Sequence, residues 1–153
     1  MRKIRFKIQV EEDRNLLPGF QGKISVPVYK TKDSAGCDLI NNGGAARLLP
    51  MDRVCLPTGV HISLPEGYEG QVRGRSGLNK NHGIIVPTGT IDADYRGEIM
   101  VVLYNLSREE YTIQPGDRIA QLVISPVVQA NWDEVEFLDK TERGENGFGS
   151  TGK

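Results

Sequence analysis

The chain is short of almost every feature that marks a specialised class. It holds two cysteines, Cys37 and Cys55, in 153 residues. That is no disulfide framework, and a reducing compartment is the simplest reading. His61 and His82 are the only histidines, so no His/Cys cluster with metal-ligand spacing exists. No run of about 18 apolar residues occurs, which excludes a membrane-spanning helix. The basic start, Met1 to Lys7, lacks the apolar stretch of a signal peptide. The cytoplasm is the default location, with the nucleus an alternative in a eukaryotic host. Net charge is −1, so no excess of one sign points to a stable nucleic-acid or membrane partner. Helical periodicity is scarce as well.

What is abundant is punctuation. Eighteen glycines and eight prolines separate short runs rich in Val, Ile, Leu and Tyr. The expected strands are Ile24–Tyr29, Arg53–Leu56, Val60–Leu64, Gly70–Arg73, Ile84–Val86, Ile99–Asn105, Tyr111–Ile113 and Arg118–Ser125. Many short strands between Gly/Pro turns indicate an all-β sandwich or barrel-like fold. One short helix is expected at Ser76–His82, with Ser76 as N-cap and Gly83 as the left-handed closing residue. The length suits one domain with one core. Asn15–Gly22 and Lys30–Ser34 read as loops.

The C-terminal residues Arg143-Gly-Glu-Asn-Gly-Phe-Gly-Ser-Thr-Gly-Lys153 differ from the rest. Glycine-rich termini are commonly frayed. Here a lone aromatic, Phe148, stands between glycines, and the stretch matches most of the phosphate-loop pattern G-x-x-x-x-G-K-[ST]. That loop also needs a strand before it and a helix after it, and Lys153 is the last residue. The underlying chemistry remains. Closely spaced glycines let successive N–H groups converge on phosphate oxygens. Ser150 and Thr151 add hydroxyls, and Arg143 adds a planar cationic fork. The tail therefore reads as a flap that closes on a phosphorylated ligand, with Phe148 stacked on an aromatic base.

Four further segments carry candidate chemistry. Gly74-Arg-Ser-Gly-Leu78 puts Arg75 and Ser76 at a helix start, where free N–H groups attract anions. Gly89-Thr-Ile-Asp-Ala-Asp-Tyr-Arg-Gly97 reads as an acidic hairpin connection between Ile84–Val86 and Ile99–Asn105. A carboxylate held there can orient and deprotonate a water, and Asp and Gly are also ordinary turn residues. Ala35-Gly-Cys-Asp-Leu39 and Gly116-Asp-Arg-Ile-Ala-Gln-Leu122 read alone as turn and edge-strand residues.

In this order the five segments resemble the five motifs of the trimeric dUTP diphosphatase (dUTPase) family, over a stretch from about Ile24 to the C-terminus. The resemblance implies a distorted jelly roll, mostly antiparallel β, spanning residues 1–138. Residues 139–153 would form a flexible arm. Three chains would assemble with threefold symmetry, each site drawing on all three subunits and the arm of one closing another's pocket. The implied reaction is hydrolysis of dUTP to dUMP and pyrophosphate, which keeps uracil out of DNA and supplies dUMP for thymidylate synthesis.

Roles follow from the resemblance. Asp92 activates the water that attacks the α-phosphorus. Arg75, Ser76, Gly77 and Gln121 hold phosphate oxygens. Asp38 holds waters around a Mg²⁺ ion that arrives on the triphosphate, or assists the phosphate site. Backbone groups around Gly89, Thr90, Ile91 and Met100 pair with the polar edge of uracil. Tyr95 lies under the deoxyribose. Arg143, Gly149, Ser150 and Thr151 grip the γ-phosphate while Phe148 stacks on the base. The chain departs from the family at Gly74, where many members carry Pro. Val86-Pro87-Thr88 also offers no equivalent of the base-contacting Asn of many bacterial members. Rival readings are dCTP deaminase on the same fold, a binding module on the same scaffold, and a purely structural jelly roll.

Overall fold

The computed structural model describes residues 5–10 and 26–145. Eleven strands and one helix lie within them. They are β1 Lys7–Val10, β2 Gly36–Ile40, β3 Ala46–Leu48, β4 Arg53–Pro57, β5 Val60–Ser63, β6 Tyr68–Arg73, α1 Ser76–His82, β7 Ile84–Ile85, β8 Gly89–Ile91, β9 Met100–Asn105, β10 Tyr111–Ile113 and β11 Arg118–Pro126. The all-β, jelly-roll-like expectation holds: every ladder is antiparallel, and neighbouring strands are mostly distant in sequence.

Two sheets organise the site. One has the order β2-β11-β6-β8, the other β4-β9-β7. Period-two patterning assigns their inner faces. In β9, Val101, Leu103 and Asn105 point inward at 0% exposure while Met100 and Val102 face out. In β5, Val60 and Ile62 turn in. These side chains join Leu39, Leu48, Leu56, Val72, Ile84 and Leu122 in one core. The buried polar residues are mostly satisfied. Asn105 Nδ2 donates to the Leu48 and Glu109 carbonyls, and Thr58 Oγ1 donates to the Ile99 carbonyl at 2.6 Å.

Three expectations need correction. Ile24–Tyr29 is no strand over its described residues 26–29. Pro27 has no N–H to give a ladder, and Val28 and Tyr29 are more than half exposed. Ser76 is not the N-cap: Arg75 holds that place with φ −98° and ψ 130°, with no side-chain cap bond. The far end is as expected, with Gly83 left-handed at φ 64° and its N–H bonded to the Asn79 carbonyl. Finally, the segment between Ile84–Ile85 and Met100–Asn105 is more than a hairpin connection. Those two strands do pair, but the link sends β8 across to β6 in the other sheet.

From Val127 to residue 145 no helix or strand occurs. Val128, Trp132, Phe137 and Leu138 stand at 80% exposure or more.

Leu103→Ala is expected to lower the free energy of unfolding by about 2–5 kcal/mol, since it deletes methyl groups from a packed interior. Urea denaturation measures this, and a loss below about 1 kcal/mol would place Leu103 outside the tight core.

Candidate active site

The long strand β11 brings three of the five segments side by side. Asp38 of β2 lies opposite Gln121 of β11, and Gln121 lies opposite Arg73 of β6. Strands in a sheet are about 4.8 Å apart, so the three residues form one short row. Arg75 follows β6 directly and folds back over that row. Its Nε lies 3.2 Å from Asp38 Oδ1, and its Nη1 donates to the Arg118 carbonyl at 2.9 Å. Arg118 Nη1 in turn donates to Asp38 Oδ2 at 3.2 Å. One carboxylate is thus shared between two guanidinium groups, one oxygen to each. Gln121 Nε2 donates to the Gly74 carbonyl at 2.9 Å, which pins the turn that carries Arg75. A methyl group on Gly36 would meet Gln121 Oε1 at 2.6 Å, so the glycine before Cys37 lets that amide lie flat on the sheet. Ser76 and Gly77 are exposed in the first turn of α1.

A cavity of about 170 Å³ opens beside this cluster, lined by Arg75, Leu78, Tyr111, Asp117 and Arg118 among others. Burial pushes the Tyr111 hydroxyl above its ordinary pKa, with Asp117 adding to the rise and Arg75 opposing it. Cys37 is buried and its thiol is pushed up by desolvation. Its Sγ faces the Leu122 carbonyl, which suits an inert packing residue rather than a nucleophile.

The remaining candidates lie on and after β8 and at the start of β9. β8 is the outer strand of its sheet, so among the described strands one edge of Gly89–Ile91 has no ladder partner. In β9, β7 pairs only Tyr104 and Asn105, so among the described strands the Met100 end lacks a partner on that side. Two such edges offer backbone donors and acceptors to a planar polar ligand. Asp92 is exposed and follows β8 directly. The turn after it closes with the Tyr95 N–H on the Asp92 carbonyl. Tyr95 is half-exposed, and its hydroxyl donates to the Glu98 carbonyl at 3.0 Å. Arg96 Nη1 bonds the carbonyls of Ala93 and Tyr95, both at 2.7 Å, so it staples the turn. A methyl on Gly97 would strike the Tyr95 hydroxyl and ring. Only a bare backbone there lets the ring lie flat.

The two sets lie towards opposite ends of β6. Ile91 pairs with Gly70, at the opposite end of β6 from Arg75. At about 3.3 Å per residue, Asp92 lies roughly 13 Å along the strand direction from the Arg73 level at which Arg75 folds back onto Asp38. Arg143 lies exposed beyond the sheets. Phe148, Gly149, Ser150 and Thr151 lie outside the described residues. Among the described residues no group of three His, Cys, Asp or Glu could hold a metal, and no helix is long and apolar enough to cross a membrane.

Comparison with known proteins decides the lineage. The dUTPase family model matches residues 22–152. The chain belongs to the dUTPase family. Deoxyuridine 5'-triphosphate nucleotidohydrolase of Fusobacterium nucleatum is 46% identical over 156 residues, covering 100% of both chains. The Ehrlichia canis protein of the same name is 54% identical over 134 residues, covering 84% of this chain and 88% of its own. Among solved structures, the dUTPase of Staphylococcus bacteriophage 80alpha with dUpNHpp superposes at a TM-score of 0.83. It is 27% identical and covers 99% of this chain and 100% of its own.

One residue that the family motifs alone did not single out now stands in the site: Arg118, in the Gly116–Leu122 segment. Its signal was a charged residue at the start of a long apolar strand, which reads as an ordinary solvated edge.

Gly97→Ala is expected to displace the Tyr95 ring and cost about 1–3 kcal/mol, as overpacked sites do. The cost should shrink in a Tyr95→Ala background when thermal unfolding is compared across the double-mutant cycle. Equal costs in both backgrounds would show that the ring is not what the methyl meets.

Proposed function

We propose that dUTP is hydrolysed at sites shared between subunits, with Asp92 of one chain activating water at a phosphate cradle built on Arg75 of another. The activity itself, dUTP to dUMP, comes with family membership and with relatives that carry that name over their full length. The observation that carries the shared-site reading is the ladder, which sets Asp92 and the row that holds Arg75 towards opposite ends of β6. A second copy that supplies one of them would close that separation. A threefold assembly meets this need, with the arm from about residue 139 reaching a neighbour. The exposed Trp132, Phe137 and Leu138 favour it, since large apolar groups in such a stretch gain by being covered.

The chemistry is an in-line displacement. Asp92 takes a proton from the attacking water, and pyrophosphate leaves from the α-phosphorus. Arg75, Ser76 and Gly77 stabilise the charge that builds on the phosphate oxygens, and Gln121 holds the Gly74 turn beneath them. Uracil meets the open edges of β8 and β9 around Gly89, Thr90, Ile91 and Met100. A base with the wrong donor pattern would leave those groups unpaired, which carries a steep penalty. Tyr95 forms the floor under the deoxyribose. The arm adds Arg143, Gly149, Ser150 and Thr151 at the γ-phosphate and Phe148 on the base.

Mg²⁺ is the proposed cation. The donor set fits only an ion held through water: one carboxylate, Asp38, already bonded to two guanidinium groups. The ion's oxygen ligands then come from the triphosphate and from water. Two free cysteines support a cytoplasmic setting.

Incubation with dUTP, dTTP, dCTP and UTP in Mg²⁺, with products identified, is expected to release pyrophosphate from dUTP alone. Comparable turnover of dCTP would overturn the uracil assignment. Asp92→Asn should lower kcat by about 10²–10⁴-fold while nucleotide binding persists. Chains carrying Asp92→Asn, mixed with chains lacking residues 144–153, should regain activity once subunits exchange. No recovery after verified exchange would count against sites built from several subunits.

A further inference from the structure

We infer that Arg118 is a positioning residue of the phosphate site, and that it acts through Asp38 to keep the Arg75 fork turned, and the cluster net positive, towards the triphosphate. The inference deepens the proposed function and rests on it.

A defect in the β-ladder carries the first part of the argument. Down the β2–β11 ladder, Asp38 lies opposite Gln121 and Leu39 opposite Ala120. An unbroken ladder would next set Ile40 opposite Ile119. Instead Arg118 lies opposite Ile40, and the register shifts between Arg118 and Ala120. Ile119 is the extra residue of a β-bulge. Side chains opposite each other share a face, and so do residues two apart on one strand. Without the bulge, Ile119 would share the outer face with Ile40 and Asp38, and Arg118 would point to the core. With it, Ile119 and Ala120 are both buried, at 1% and 0% exposure. Arg118 is thereby delivered to the face that carries Asp38.

Charge carries the second part. Arg75 and Asp38 alone form a neutral pair, and a neutral pair attracts a polyanion weakly. Arg118 brings the cluster of Asp38, Arg75 and Arg118 to a net charge of +1. It also binds the second carboxylate oxygen, so Asp38 cannot turn both oxygens onto Arg75 in the bidentate arrangement that arginine and carboxylate favour. The Arg118 carbonyl meanwhile holds Arg75 Nη1. The ion pair at Nε and the hydrogen bond at Nη1 orient the Arg75 fork. Its other N–H groups are left over from them to meet phosphate. The cluster is partly shielded, with side-chain exposures of 18% for Asp38 and 25% for Arg75, so its charges are less screened than freely exposed ones.

The test uses the full-length chain and two readouts: affinity for inorganic triphosphate by calorimetry, and KM against kcat for dUTP. Arg118→Gln is expected to weaken triphosphate binding and raise KM about tenfold or more, with a smaller change in kcat, as lost ground-state binding does. Arg118→Lys keeps the charge and should recover most of the affinity. The decisive variant is the double substitution Asp38→Asn/Arg118→Gln. It restores the net charge to +1 by removing the acid, and triphosphate should bind more tightly than to Arg118→Gln alone. A merely structural arginine would give the opposite order, because a second lesion would add to the first. Melting curves confirm that each variant folds, and the lysine variant preserves the test if glutamine unfolds the chain. Wild-type affinity in Arg118→Gln, or no gain in the double variant, overturns the proposal. An unmutated chain that binds triphosphate yet leaves dUTP intact would instead overturn the proposed function, and the order of triphosphate affinities would still decide the role of Arg118.

Discussion

The pairing of β11 with β2 along one edge and with β6 along the other fixes everything else at the candidate site. A buried backbone group without a partner is costly, so a nine-residue strand paired with β2 over Arg118–Val123 and with β6 over Gln121–Pro126 holds the two ladders to one another. That register puts Asp38, Gln121 and Arg73 in one row. It also sets the turn after β6 at the height where Arg75 can fold onto Asp38. Residues as far apart in the chain as Asp38 and Arg118 are joined this way. A slip of one residue would send Asp38 or Gln121 into the core and scatter the charged cluster.

The electrostatics rest on that geometry. An exposed ion pair contributes little to stability, and the half-exposed Arg118 adds little to the fold. Its effect is on orientation. A carboxylate flanked by two guanidinium groups has both oxygens engaged, and each guanidinium is held at one side while its remaining edge can face a ligand. Groups fixed in this way need no rearrangement when negative charge arrives, which is the basis of preorganised stabilisation. The second group, around Asp92 and Tyr95, is rigid for a different reason. A turn stapled by Arg96 and closed over Gly97 holds its residues by backbone bonds and by the lack of a methyl group.

Much of this was legible in the sequence. The expected strands from Arg53 onward match those observed to within a residue or two at most ends, because their β-branched residues alternate or run together between clear turn signals. The helix Ser76–His82 was marked by Gly83. Four strands were not foreseen as such: β1, β2, β3 and β8. Each is short, and β2 and β8 carry glycine, whose lack of a side chain hides the strand pattern. Ser76 looked like a cap by residue type, but the cap position went to Arg75, whose guanidinium is drawn to Asp38 and the Arg118 carbonyl.

The sequence by itself determined the composition of an all-β domain, the presence of an arginine beside a helix start, an acidic turn and a glycine-rich tail, and the family they resemble. These depend on residue type and local spacing, which the chain carries openly. Only the tertiary structure decided which of them stand together. It joined Asp38 to Arg75, held Asp92 at the far end of β6, and turned Arg118 outward by one extra residue in a ladder. Register, bulges and the distance between two ends of a strand come from long-range pairing, and no local pattern records them.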